Sequence, residues 1–218
     1  MADKITRRQL IQLLVVVLIG AGVGQILQRT APIGRDVSYS MAAQTMLRDS
    51  SSPSREVDDP TLTLVVFTDY QCPACKIAHP AMEAAVQKDG HIRIIFKDWP
   101  IFGAISERAA RIAVAANRQG IYSAVHTRLM NERRPLDDQV MRQAVTSSGG
   151  NWPQIESDLQ TYATDIQSQL DRNRQDAFKL GLAGTPGYLV GPILVSGALD
   201  EAEFEQTFAH ARETLDNR

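Results

Sequence analysis

Leu62-Thr63-Leu64-Val65-Val66-Phe67-Thr68-Asp69-Tyr70-Gln71-Cys72-Pro73-Ala74-Cys75 is the stretch that decides how this 218-residue chain folds. Leu62 to Phe67 is an uncharged run with β-branched residues in its middle. Such a run reads as a central strand covered on both faces. Thr68 to Gln71 forms the turn out of it. Pro73 then opens a helical pattern, in the first turn, where its missing N–H costs nothing. Cys72 and Cys75 are the only cysteines in the sequence. Two thiols in a single Cys-x-x-Cys at a strand-to-helix junction point to a dithiol used as a reagent rather than as a staple.

A cysteine at a helix start meets unpaired backbone N–H groups and the positive end of the helix dipole, and both favour thiolate. Cys72 holds that position and reads as the nucleophile that carries a mixed disulfide. Cys75, one turn further in, reads as the resolving thiol, and reversible thiol–disulfide exchange follows. Other uses of the pair fit less well. Cys72, Cys75 and His79 could offer zinc ligands on successive turns, but no further cysteine closes a site, so no metal is expected. A c-type haem needs His directly after the second cysteine, where this chain has Lys76. An inert disulfide would close too small a loop to gain much entropy. His91, His126 and His210 stand in unrelated elements and read as surface or capping residues. His79, four residues after Cys75, reads as packing or electrostatic support for the dithiol.

Outward from this centre, a helix is expected from about Pro73 to Lys88, with Pro80 kinking it and Asp89-Gly90 ending it. His91 to Lys97 alternates, with Ile92, Ile94 and Phe96 on one face, and reads as a second strand. Strand, helix and strand make a βαβ unit, expected to be parallel and right-handed. Residues 104–180 are helical throughout. Stripes run through Ile105, Ala109, Ile112, Ala113 and Ala116, through Ile121, Val125 and Leu129, and through Val140, Met141, Ala144 and Val145. A long fourth stripe runs from Ile155 to Leu180, with Gly181 as its C-cap. Tyr188-Leu189-Val190 and Ile193-Leu194-Val195, around Gly191-Pro192, read as a hairpin. Asp200 to Glu203 resembles a capping box for a last helix bearing Phe204, Phe208, Ala211 and Leu215. The expected class is α/β: a four-stranded mixed sheet over residues 61–218, with a helical subdomain inserted at about 104–180.

Lys4, Arg7 and Arg8 precede a largely apolar stretch from Leu10 to Leu27. Residues 1–30 therefore read as a signal anchor, or a signal peptide, that leaves the body of the protein outside the cytoplasm. Thr6-Arg7-Arg8-Gln9-Leu10-Ile11 also looks like a twin-arginine export signal. Residues 31–60, rich in Pro, Ser and Asp, read as a linker with room for a short helix between Tyr39 and Leu47. The net charge of −2 gives no reason to expect nucleic acid.

Several motifs carry a resemblance beyond these patterns. They are Phe67 to Cys75 with Lys76 and His79-Pro80; Phe96-Lys97-Asp98-Trp99-Pro100-Ile101-Phe102-Gly103; Gly181-Leu182-Ala183-Gly184-Thr185-Pro186; and Leu194-Val195-Ser196-Gly197-Ala198. In this order, with a helical insertion between, they resemble the DsbA-like branch of the thioredoxin superfamily. The resemblance implies a thioredoxin-like fold and a cis peptide at Thr185-Pro186 facing the dithiol. It implies that the Thr185 backbone pairs with an extended substrate peptide beside Cys72, and that Pro186 keeps metals off the thiols. It implies a periplasmic protein with no cofactor beyond a redox-active Cys72–Cys75 disulfide, and the N-terminal segment would anchor it to the inner membrane. Its partners would be substrate proteins with thiols or disulfides and a membrane redox partner.

This chain departs from the family pattern in three places. Ala74 stands where family oxidases often carry His or Tyr, which implies a less oxidising couple. Val66 stands where thioredoxins place a buried acid, six residues before the first cysteine. The nearby acids Asp69 and Asp98 are candidates for that role, with no pattern to select either. Gly187, after the cis proline, leaves room for a wider peptide site. Three readings stay open: an exported disulfide oxidase, an isomerase or reductase held reduced, and a non-catalytic chaperone-like module.

Overall fold

Leu64, Val65, Val66 and Phe67 are all at most 1% exposed, so the strand they form has no solvent face and must be central. In a computed structural model, residues 33–217 are described. The signal-anchor reading concerns residues 1–30 and lies outside them. In chain order the elements are β1 (Arg35–Asp36), α1 (Met41–Leu47), β2 (Ser54–Arg55), β3 (Leu62–Thr68), α2 (Pro73–Asp89) and β4 (Ile92–Asp98). Then come α3 (Ala104–Asn117), α4 (Tyr122–Asn131), α5 (Asp138–Thr146), α6 (Trp152–Thr161) and α7 (Ala163–Leu180). β5 (Gly187–Val190), β6 (Ile193–Ser196) and α8 (Glu201–Asp216) finish the chain.

The βαβ unit is present: β3 and β4 pair in parallel with Leu62 opposite Ile92, as α2 carries the chain between them. β5 pairs antiparallel with β3, and β5–β6 is the expected antiparallel hairpin. These four strands are the thioredoxin-like sheet that the motifs implied. One face packs against α2, α8 and the helical insertion through Val66, Ile94, Phe96, Tyr188 and Phe204. The other, through Val65, Phe67, Ile95 and Leu189, packs against Val37, Ala43 and Met46 and the end of α7. Strict alternation along β3 and β4 thus serves two cores at once.

Three expectations are corrected. The segment read as a linker over residues 31–60 is bound to the domain from residue 33 on. β1 pairs with β6 and β2 with β4, so the sheet has six strands in the order β1-β6-β5-β3-β4-β2. The helix expected near Tyr39–Leu47 is real, with Ser40 as its N-cap, its side chain accepting from the Ala43 N–H. Polar composition hid this because few apolar side chains (Val37, Ala43, Met46) do the burying. The long fourth helical stripe is also two helices, broken where Tyr162 ends α6 and starts α7. Arg118 lies 3.3 Å over the Tyr162 ring at this break. The third correction concerns Gly187. A Cβ there would meet Leu182 Cδ1 at 2.6 Å, so the space beside the proline is filled by Leu182 rather than open.

α2 runs unbroken through Pro80 and ends at Gly90, which takes the left-handed conformation (φ 79°) that a C-cap glycine allows. Asp200 and Glu203 form the full capping box of α8. Polar groups stitch the N-terminal strap down. Lys97, 2% exposed on β4, is held by Asp49 at 2.5 Å and Asp176 at 3.0 Å. Gln169 on α7 donates to the Ser52 hydroxyl at 2.9 Å.

Lys97→Met should lower unfolding stability by about 3 kcal/mol, because it leaves Asp49 without its cation and Asp176 with only Lys179 at 3.8 Å. Urea denaturation measures this, and limited proteolysis should then cut the strap between α1 and β2 first. A midpoint equal to the parent protein's would show that the strap does not depend on Lys97.

Candidate active site

The dithiol lies where the sequence placed it, at the junction of β3 and α2. Cys72 is the N-cap of α2, in extended conformation, and Pro73 holds the first helical position. The Cys75 N–H donates to Cys72 Sγ at 3.4 Å, so the sulfur occupies the place of a capping oxygen. No acid lies in the first turn of this helix. The Thr185–Pro186 peptide is cis, and the Cys72 thiol lies 3.3 Å from the Thr185 carbonyl oxygen. The chain thus brings together Cys72, Cys75, Pro73, Thr185 and Pro186, which are far apart in sequence. Both cysteines are free and nearly buried. Burial pushes the Cys75 thiol up to about 12, against the opposing pull of the Asp69 backbone and the Thr185 side chain. Ala74 is partly buried against the core and brings no donor to the sulfurs.

Asp69 takes a different part from the proton carrier considered above. It is 1% exposed, and both carboxylate oxygens are engaged. Oδ1 accepts from the Gln71 N–H at 2.7 Å and the Ser106 hydroxyl at 2.6 Å. Oδ2 accepts from the N–H groups of Ile101 at 2.6 Å and Phe102 at 3.0 Å. The Asp69 carbonyl accepts the Cys72 N–H at 3.1 Å. One carboxylate therefore ties the cysteine loop to the loop after β4 and to α3. Ile101 and Phe102, so held, are among the exposed large apolar residues.

His126 corrects the reading of a solitary surface histidine. It is fully buried on α4, and its Nδ1 lies 2.9 Å from the Tyr70 hydroxyl. The Tyr122 hydroxyl donates to Asp98 Oδ2 at 2.9 Å. His79, buried on α2, meets His126 edge-on at 5.4 Å, and Phe96 lies against the same ring at 4.7 Å. His79 thus packs one turn below Cys75, as the sequence suggested, within a buried cluster that the sequence did not reveal. A signal existed: His126 falls in the helical stripe Tyr122, Val125, His126, Leu129, a position that asks for burial. Burial drives both imidazoles below their ordinary range. Burial pushes the Asp98 carboxyl up to about 7, with the Tyr70 and Tyr122 hydroxyls pulling back and Asp69 adding to the rise. His91 is exposed and His210 half-buried, both away from this cluster.

A thioredoxin-like sheet that presents two thiols at a helix start is equipped for the exchange of thiols and disulfides. The DSBA-like thioredoxin domain family matches residues 63–209, two thirds of the chain, and the chain belongs to that family. Its structure is similar to a thioredoxin-like oxidoreductase from Silicibacter pomeroyi, 29% identical, with a TM-score of 0.73 over 78% of this chain and 97% of that one. It is also similar to a periplasmic thioredoxin-like protein from Salmonella enterica serovar Typhimurium, 30% identical, with a TM-score of 0.68 over 79% of this chain and 97% of that one. Over 147 residues the sequence is 24% identical to the Na(+)/H(+) antiporter NhaA 1 of Mycolicibacterium vanbaalenii, covering 66% of this chain and 24% of that protein. The chain thus spans about a quarter of the length of the antiporters among its curated relatives.

The raised Asp98 carboxyl fixes the sign of a pH effect. The folded protein prefers the neutral acid, so this stabilisation is complete below the unfolded carboxyl range and is lost as pH rises through about 7. Asp98→Asn keeps a neutral group and should lose less stability than the parent between about pH 4 and about pH 7 in urea titrations. Equal losses would show that Asp98 does not titrate in that range.

Proposed function

We propose that the protein is an exported disulfide oxidase that passes its Cys72–Cys75 disulfide to substrate proteins. The observation that carries this reading is the sulfur-capped helix: Cys72 Sγ accepts the Cys75 N–H where the helix dipole favours negative charge. Stabilising the thiolate favours the reduced protein, and a couple whose reduced form is favoured is a stronger oxidant. In the reaction, a substrate thiolate attacks Cys72 Sγ and Cys75 leaves as thiolate with the electron pair. A second substrate thiolate then attacks the substrate sulfur of the mixed disulfide and Cys72 leaves. The substrate gains a disulfide, and the protein is left as a dithiol for a membrane redox partner to re-oxidise.

Thr185 and Pro186 form the substrate-binding edge, where an extended peptide pairs with the Thr185 backbone beside Cys72. Pro73 starts the helix, and Ala74 and His79 support it. Export is supported by the basic start and apolar stretch of residues 1–27 and by likeness to a protein described as periplasmic. Anchoring to the inner membrane rests on that N-terminal stretch alone; among the described residues no helix is long and apolar enough to cross a membrane. Ala74, which gives the sulfurs no donor, favours a second reading in the same class: an isomerase or reductase kept reduced.

Equilibration with glutathione separates the two. A potential above about −200 mV is expected for the oxidase, on a scale where a strong oxidase lies near −120 mV and thioredoxin near −270 mV. A value at or below thioredoxin's overturns the oxidase reading. The roles of the thiols are tested by trapping. Cys75→Ser should accumulate mixed disulfides with substrate proteins and Cys72→Ser should not; the reverse pattern would exchange the two assignments.

A further inference from the structure

Residues 69–72 carry the chain from the end of β3 to the start of α2, and Asp69 closes that turn twice. Its carbonyl accepts the Cys72 N–H at 3.1 Å, and its carboxylate Oδ1 accepts the Gln71 N–H at 2.7 Å. An aspartate bonded to the N–H two residues on forms an Asx turn, which holds backbone without help from a helix or sheet ladder. The turn delivers Cys72 as the N-cap of α2, with φ −70° and ψ 116°. Its Sγ then lies 3.4 Å from the Cys75 N and 3.3 Å from the Thr185 carbonyl oxygen. The carboxylate is clamped from its far side as well. Ser106, in the first turn of α3 and 0% exposed, donates to Oδ1 at 2.6 Å. The Ile101 and Phe102 N–H groups donate to Oδ2 at 2.6 Å and 3.0 Å. A carboxylate offers about four acceptor positions, and the protein fills all of them.

We propose that Asp69 is a positioning residue for thiol–disulfide exchange: its carboxylate holds the turn that sets Cys72 Sγ at the helix start beside Thr185, and it acts through geometry rather than through its charge. This role rests on the exchange reading proposed above. When a substrate thiolate attacks Cys72 Sγ, the Cys72–Cys75 bond breaks, the substrate–Cys72 bond forms and the electron pair goes to Cys75. Asp69 neither gives nor takes a proton in that step. It supplies a sulfur already in place, on a turn tied to α3 and to the loop after β4. That loop borders the cis-proline segment, since a Cβ on Gly184 would meet Ile101 Cδ1 at 4.0 Å.

Geometry and charge act with opposite signs here. A loosened turn takes Cys72 Sγ away from the helix start for part of the time, so the thiolate loses support and the disulfide form is favoured. A carboxylate acting by charge would repel a thiolate, so its removal would favour the dithiol. Asp69→Asn separates the two. The amide oxygen should stay on the Ile101 and Phe102 N–H groups, with the NH2 turned to Ser106, whose hydroxyl can accept. The opposite orientation sets the NH2 against two N–H groups instead of one. Only the Gln71 N–H then faces a donor, so this variant frees the cysteine turn and keeps the loop after β4. Ser106→Ala removes one donor to the carboxylate and keeps its charge.

The full chain and both variants are equilibrated with glutathione in the absence of denaturant. Asp69→Asn should shift the equilibrium constant about fivefold toward the disulfide, the scale of one net hydrogen bond. Ser106→Ala should shift it in the same direction by a smaller factor. In rapid-quench single turnovers with a cysteine-containing peptide, Asp69→Asn should lower the limiting rate of mixed-disulfide formation and leave the half-saturating peptide concentration unchanged. A shift toward the dithiol in either variant shows action through charge and overturns the proposal. So does a lowered urea midpoint with an unmoved glutathione constant, which makes Asp69 purely structural. A raised half-saturating concentration with an unchanged limiting rate also overturns it. If Asp69→Asn does not fold, Ser106→Ala decides alone, and an unmoved constant there overturns the proposal. Failure of the parent protein to exchange with glutathione or the peptide counts instead against the exchange reading itself.

Discussion

The Asp69 carboxylate is the constraint on which the site depends. β3 ends just before it, and its two oxygens gather donors from the cysteine loop, from the loop after β4 and from α3. A buried carboxylate left without those donors would be costly, so each loop is held by the need to satisfy the charge. The result is a shared frame. The same residue that receives the Cys72 N–H at its carbonyl holds the backbone of Ile101 and Phe102, whose side chains are exposed. Reactive sulfur and surrounding surface are therefore positioned by a single group rather than by separate elements.

The helical insertion is joined to the sheet by chemistry as well as packing. Tyr122 and His126 on α4 reach Asp98 at the end of β4 and Tyr70 just before the cysteines. Asn173 on α7 donates to the Asp98 carbonyl at 3.0 Å. The insertion thus contacts the catalytic sheet at the ends of both strands of the βαβ unit, where small shifts would be felt at the dithiol. A buried polar cluster of this kind specifies one arrangement of the two parts more strictly than apolar packing could.

Much of this was legible from residues. Leu62 to Phe67 was uncharged over its full length because it is buried on two faces, and the alternation of Ile92, Ile94 and Phe96 recorded one of the two core-facing sides of β4, the other, with Ile95 and Lys97, being masked by its charge. The Cys-x-x-Cys at the start of a Pro-led helix located the site, and Thr185-Pro186 could be paired with it only through family likeness, since nothing local brings residues 113 positions apart together. What stayed hidden was polar. His126 looked solitary because its partners, Tyr70 and His79, come from other elements. Asp69 looked like one acid of a pair, and only the backbone donors around it reveal its work. The strap before β3 looked like a tether because hydrogen bonds and a buried ion pair, rather than a dense apolar stripe, fasten it.

That strap does more than add two strands. β1 occupies one edge of the sheet and β2 the other, each only two residues long, with α1 between them on the back face. Short edge strands offer little backbone for a foreign chain to pair with. With its sheet bounded on both sides by such strands, the domain offers a passing extended chain little ladder to climb at either edge.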